Sequence, residues 1–177
     1  MPVAGDSGII RVLGVDPGSE TLGWGIVEGI GSKYRGVAFG TITHGSRIEF
    51  HKRLSKIYDD LNEIITRFQP QCVAVEDAFY SKNVKVAVRL GQVRGVVLLA
   101  GEKNGLPISE YAPRLVKKTV VGYGNAEKNQ VQEMVRILLT LEESPKPHDA
   151  ADALAIAICH SIHLGSTLRI KRALGGG

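Results

Sequence analysis

The stretch Ile9-Ile10-Arg11-Val12-Leu13-Gly14-Val15-Asp16, followed by Pro17-Gly18, decides the fold. Its β-branched apolar run reads as a buried strand, and the Pro-Gly pair stops it in a turn. A carboxylate, Asp16, closes this otherwise apolar run. Outward from it, Leu22–Val27 and Tyr34–Thr43 read as second and third strands, with Gly29 and Gly31 marking the turn between them. Strands this close leave no room for helices and form an antiparallel meander.

The period then changes. Leu54, Ile57, Tyr58, Leu61, Ile64, Ile65 and Phe68 follow helical spacing, after a capping-box pattern at Ser46-Arg47-Ile48-Glu49 and before a stop at Pro70. Cys72–Glu76 is short, continuous and apolar, as in a strand covered on both faces. Ser81 to about Lys103 reads as a second helix, apolar on much of its circumference and carrying Gly91 and Gly95. Leu106–Tyr111 reads as a fifth strand. Asn125 caps a third helix with Val131, Met134, Val135 and Leu138 on one face, and a last helix runs from His148 to about Leu164.

This order predicts an α/β fold: a five-stranded mixed sheet, a three-strand antiparallel meander plus two parallel strands, with helices on both faces. It is also the ribonuclease H-like order. The expected organisation is a flexible N-terminal extension at 1–8, one domain over 9–164, and a short, basic, disordered tail over 165–177.

At 177 residues, 44% hydrophobic and 23% charged, the chain suffices for one core without staples. No apolar run reaches the ~18 residues of a membrane span, and MPVAGDSG lacks a secretory pattern. Cys72 and Cys159 sit in apolar runs and read as buried reduced thiols, so a cytoplasmic protein is expected. Lys and Arg number 22 against 18 Asp and Glu, a net +4 compatible with a polyanionic partner.

Four acidic residues stand where solvated charge is not expected. Asp16 and Glu76 each close an apolar strand. Asp149 and Asp152 lie in the helix DAADALAIAICH, three apart and so about 60° apart on one face. Asp149 also suits the macrodipole of a helix start, a reading that fits Asp152 less well. Gathered together, such carboxylates would repel one another unless a cation held them. Oxygen donors without a His or Cys cluster suit Mg²⁺ or Mn²⁺. A site of this kind can hold two ions about 3.5–4 Å apart and hydrolyse a phosphodiester.

Val12-Leu13-Gly14-Val15-Asp16-Pro17-Gly18-Ser19, Val75-Glu76 with Phe79 beyond, Thr119-Val120-Val121-Gly122 with Ala126-Glu127-Lys128, and Asp149-Ala150-Ala151-Asp152-Ala153-Leu154-Ala155 occur in that order. Together they closely resemble the bacterial RuvC family of Holliday junction resolvases, over about Ile9 to Ile162. The resemblance implies a homodimer that nicks four-way junction DNA symmetrically with Mg²⁺, during homologous recombination and repair. It carries the family's metal-binding and catalytic carboxylates onto Asp16, Glu76, Asp149 and Asp152. It also implies cooperation with the RuvA and RuvB branch-migration complex, a short preferred sequence at the cut, and 5′-phosphate ends.

Asp77 follows Glu76, and strand alternation points the two to opposite faces. His148, beside Asp149, reads as a cap-region residue, with proton transfer as the alternative. Lys117, Lys118 and Lys128 bracket the loop Val121-Gly122-Tyr123-Gly124-Asn125. Lys128 falls in a first helical turn, against the macrodipole, and is either a solvated lysine or a phosphate ligand. The resemblance places Lys117 and Lys128 at the family's essential basic positions, with Lys128 among the catalytic groups. Phe79 and Tyr80 are either core residues or platforms for an unpaired base; the resemblance favours stacking for Phe79. Lys82, Lys85, Arg89 and Arg94 would make the second helix basic on one side, for phosphate contacts.

Three other readings compete. The DPGS turn resembles the phosphate loop of actin-like ATPases and sugar kinases, which need two lobes. A non-enzymatic junction binder would be hindered by four uncompensated carboxylates. A ribonuclease H activity on RNA-containing substrates is the nearest rival.

Overall fold

The computed structural model describes residues 9–30, 33–45, 47–77 and 83–174, with the side chains of 30 and 168–174 left aside. The extension at 1–8 and the expected turn residue Gly31 therefore lie outside the described residues.

Five strands form one mixed sheet: β1 (Ile10–Asp16), β2 (Thr21–Ile30), β3 (Lys33–Thr43), β4 (Cys72–Glu76) and β5 (Ile108–Tyr111). Their order is β3-β2-β1-β4-β5. β1 pairs antiparallel with β2 and β2 with β3, as the short connections require. β4 pairs parallel with β1 and with β5, as helical crossovers require.

Helices cover both faces. Against one lie α1 (Phe50–Phe68) and α2 (Val84–Lys103), burying Leu13, Val15, Val73 and Val75 with Ile57, Leu61 and Val97. Against the other lie α3 (Pro113–Val121), α4 (Lys128–Leu138) and α5 (His148–Leu174), burying Val12, Cys72 and Ala74 with Val116, Val131 and Leu154. Both cysteines are buried and unbridged. Among the described residues no helix is long and apolar enough to cross a membrane.

Several boundaries differ from the expected ones. α3 is a helix beyond the four that the sequence pattern predicts; its Pro113 occupies the first helical turn, where the missing N–H is harmless. α4 is capped by Glu127 and Gln130 in a reciprocal capping box, not by Asn125. The N-cap of α1 is Glu49, with no side-chain capping bond, and Ser46 is outside the described residues. The last helix does not stop near Leu164 but continues to Leu174, through most of the tail expected to be disordered. Gly165 costs about 1 kcal/mol in a helix interior, and the strong helix formers Leu168, Arg169, Lys171, Arg172, Ala173 and Leu174 lie beyond it.

Candidate active site

Because β1 and β4 are parallel neighbours, with Val15 opposite Val75, their C-terminal ends lie side by side. Asp16 and Glu76 each come next, so adjacent strands deliver two carboxylates to one sheet edge. Alternation sets their face: Val12 and Ala74, in step with Asp16 and Glu76, pack toward α5. Asp77, one residue on, turns the other way, where Arg94 of α2 donates to its Oδ1 at 3.4 Å.

The remaining two acids come from α5. A Cβ at Gly14 would run into the Ala153 carbonyl, so glycine there permits the helix to lie directly on β1. Small residues on the facing side, Ala150, Ala153 and Ala157, keep the approach close. Asp149 sits in the first turn, favourably placed at the positive end of the helix dipole, and Asp152 follows one turn on.

Asp16, Glu76, Asp149 and Asp152 line one cavity of about 360 Å³, together with Lys117 from α3 and Lys128 from the first turn of α4. Lys128 Nζ stands 3.9 Å from Asp152 Oδ2. Burial pushes the Asp16 carboxyl up to about 8, with Glu76, Asp152 and Asp149 adding and Lys128 opposing. Burial also raises Glu76, Asp152 adding to it, while Lys128, Lys117 and a hydrogen bond with Asp16 oppose. At Asp152 burial again leads, and Lys128 is the largest opposing charge.

Two lysines offset only part of the charge that four carboxyls would carry, and the cavity lining contributes no His or Cys. Such a donor set fits a hard divalent cation. Among the described residues no group of three or more is already drawn into a metal-binding cluster, so the fit rests on donor chemistry and on the raised carboxyls.

The other expected contacts divide. Lys117 and Lys128 line the cavity; Lys85 is exposed at the start of α2; Phe79, Tyr80 and Lys82 lie outside the described residues. Arg89 is not in the cavity lining: its guanidinium lies over the Phe50 ring of α1, 5.2 Å from the centroid. Arg94 is engaged within the fold, pairing with Glu110 and Asp77 and donating to the Glu76 carbonyl oxygen. These two arginines do not form one basic side of α2. His148, exposed at the start of α5, is among the charges that lower the Asp152 carboxyl. The apolar cavity walls Leu90, Pro113 and Val116 were not anticipated; only the position of Pro113 before a helical pattern signalled α3.

Residues 12–160 match the family described as crossover junction endodeoxyribonuclease RuvC. A protein of that name from Chloroflexus aggregans is 51% identical over 152 residues, 86% of this chain and 93% of the relative. Another, from Caldanaerobacter subterraneus subsp. tengcongensis, is 49% identical over 151 residues, 85% of this chain and 92% of the relative. Among solved structures, T. thermophilus RuvC in complex with Holliday junction substrate superimposes with a TM-score of 0.85 at 35% identity, covering 89% of this chain and 96% of that one.

Proposed function

The chain belongs to the RuvC family of crossover junction endodeoxyribonucleases, and from that premise we propose that it resolves four-way DNA junctions by paired, symmetric, metal-dependent nicks during homologous recombination and repair. The observation that carries this reading is the convergence of Asp16, Glu76, Asp149 and Asp152 with Lys117 and Lys128 in one cavity at the sheet edge.

In this reading the four carboxylates hold Mg²⁺, with Mn²⁺ as a substitute, in up to two positions. When bound, such ions lower the pKa of water and offset charge on the leaving oxygen. Water oxygen bonds to phosphorus, the bond from phosphorus to the 3′ oxygen breaks, and a 5′-phosphate and a 3′-hydroxyl remain. Lys128 offsets the negative charge that grows on the phosphate in the transition state, and Lys117 adds to that field.

Lys82, Lys85 and Arg89 are proposed phosphate contacts, and Phe79 a proposed stacking platform at the junction centre. A homodimer is the proposed working unit, since a two-fold junction needs two opposed cuts. Supporting it, Val84, Val86, Val88 and Leu99 of α2 are exposed, and among the described residues nothing lies within 4 Å of a Cβ built at Gly91 or Gly95, so helix–sheet packing among those residues does not use these glycines. RuvA and RuvB are the proposed partners, and the cytoplasm the proposed location. The test is a denaturing gel of a labelled synthetic four-way junction with Mg²⁺, against a linear duplex. Paired nicks at symmetric positions in opposite arms support the reading; an intact junction, or equal cutting of the duplex, removes it.

A further inference from the structure

The turn after Asp16 is held from the far side of the sheet. Arg53, near the start of α1, is only 7% exposed, and its Nη2 donates to the Ser19 carbonyl oxygen at 2.6 Å. Among the described residues its Nε has no hydrogen-bond partner and no carboxylate pairs with it. The guanidinium lies over the Phe50 ring, 5.7 Å from the centroid.

A buried guanidinium without an anion is unfavourable, and an apolar side chain beside Ile57 would suit that face of α1 better. Fold stability does not account for this residue; what it touches does. Ser19 belongs to the turn that joins β1 to β2. That turn is tight: a Cβ at Gly18 would collide with the Thr21 carbonyl. Pro17 and Gly18 themselves form part of the cavity lining beside Asp16. Arg94 makes an instructive contrast. It too donates to a main-chain carbonyl at a carboxylate-bearing strand end, that of Glu76, but it has Asp77 and Glu110 as ion-pair partners. A stabilising role is enough for Arg94 and is not enough for Arg53.

We propose that Arg53 is a positioning residue for the carboxylate site: by holding the Ser19 carbonyl from beneath, it sets the turn that presents Asp16 to the cavity. Arg53 does not enter the cavity and acts only through Ser19 and Asp16. What the presented carboxylate then does rests on the nuclease reading; the bracing does not.

Arg53→Met keeps the stem and removes the hydrogen bond and the charge; Arg53→Lys keeps a charge and a donor. Three quantities separate the possibilities: Mn²⁺ binding to the DNA-free protein by calorimetry, the melting temperature, and single-turnover nicking of a four-way junction. Arg53→Met is expected to melt at or above wild type, to bind Mn²⁺ about tenfold more weakly, and to nick about 10²-fold more slowly. Junction binding in Ca²⁺ should not change, and Arg53→Lys should recover part of both losses. Unchanged Mn²⁺ affinity in Arg53→Met overturns the proposal, and so does a melting temperature that falls in step with every other loss. If wild type itself fails to nick the junction, the nuclease reading falls, and the Mn²⁺ measurement still decides the role of Arg53.

Discussion

The carbonyl oxygen of Asp149 lies against the α-carbon of Gly23, with no space for a methyl group between them. This contact seats the first turn of α5 on β2 and so sets where Asp149 and Asp152 stand relative to Asp16. Gly23→Ala has to lift that turn. It is expected to cost about 1–3 kcal/mol in urea denaturation, as overpacking does, and to reduce nicking by more than the lost stability explains. Gly45→Ala, where a Cβ meets nothing within 4 Å among the described residues, is the neutral control.

The stability of the metal-free protein should depend on pH in a defined way. Asp16 titrates near 8 in the fold against an ordinary 3.8, so the folded state keeps a proton that the unfolded chain has released across that window. Its contribution therefore falls as pH rises from 3.8 to about 8. His160 acts in the opposite sense. Burial and the nearby His163 lower its ring from 6.5 to about 4, so stability is lost as pH falls through that window. Its ring meets the Cys72 thiol at 3.3 Å and the Tyr111 hydroxyl at 2.8 Å, partners that a neutral imidazole satisfies. In EDTA the melting temperature should fall most steeply between about pH 6.5 and pH 8, where His160 no longer offsets Asp16. Asp16→Asn should flatten the decline, and Mn²⁺ should raise the melting temperature more at pH 8 than at pH 6. A curve that climbs to pH 8 in EDTA contradicts this.

Lys128 and Asp152 form an ion pair of 3.9 Å in which the lysine is 68% exposed. A pair so exposed contributes roughly 0–1 kcal/mol, so Lys128→Ala should leave urea denaturation almost unchanged. Its loss from the transition state should lower single-turnover nicking by about 10²-fold. Equal rates for the variant and wild type would take Lys128 out of the site.

The placement of the carboxylates was legible because each breaks a local pattern. Asp16 and Glu76 end strands that are otherwise apolar, and Asp149 and Asp152 interrupt an alanine-rich helix face. Parallel pairing of β1 and β4 then brings the strand ends together, as the β-α-β order requires. What escaped is set by longer-range packing. α3 is short and begins with a proline, so its periodicity is weak, yet Val116 and Val120 anchor it under α5 and bring Lys117 to the cavity. The destinations of Arg89 and Arg94 depend on Phe50, Glu110 and Asp77, residues distant in the chain. Arg53 did leave a trace: it stands four residues before Ile57, on the apolar face of its helix, where a charge is out of place.

The most direct measurement compares wild type with Asp16→Asn, Glu76→Gln, Asp149→Asn and Asp152→Asn for junction binding in Ca²⁺ and for single-turnover nicking in Mg²⁺. If the four carboxylates are one cation-dependent cutting site, every variant binds the junction as wild type does and none produces symmetric nicks. A variant that cuts at close to the wild-type rate would contradict a shared site, and a variant that loses binding with its fold intact would assign that carboxylate to DNA recognition instead.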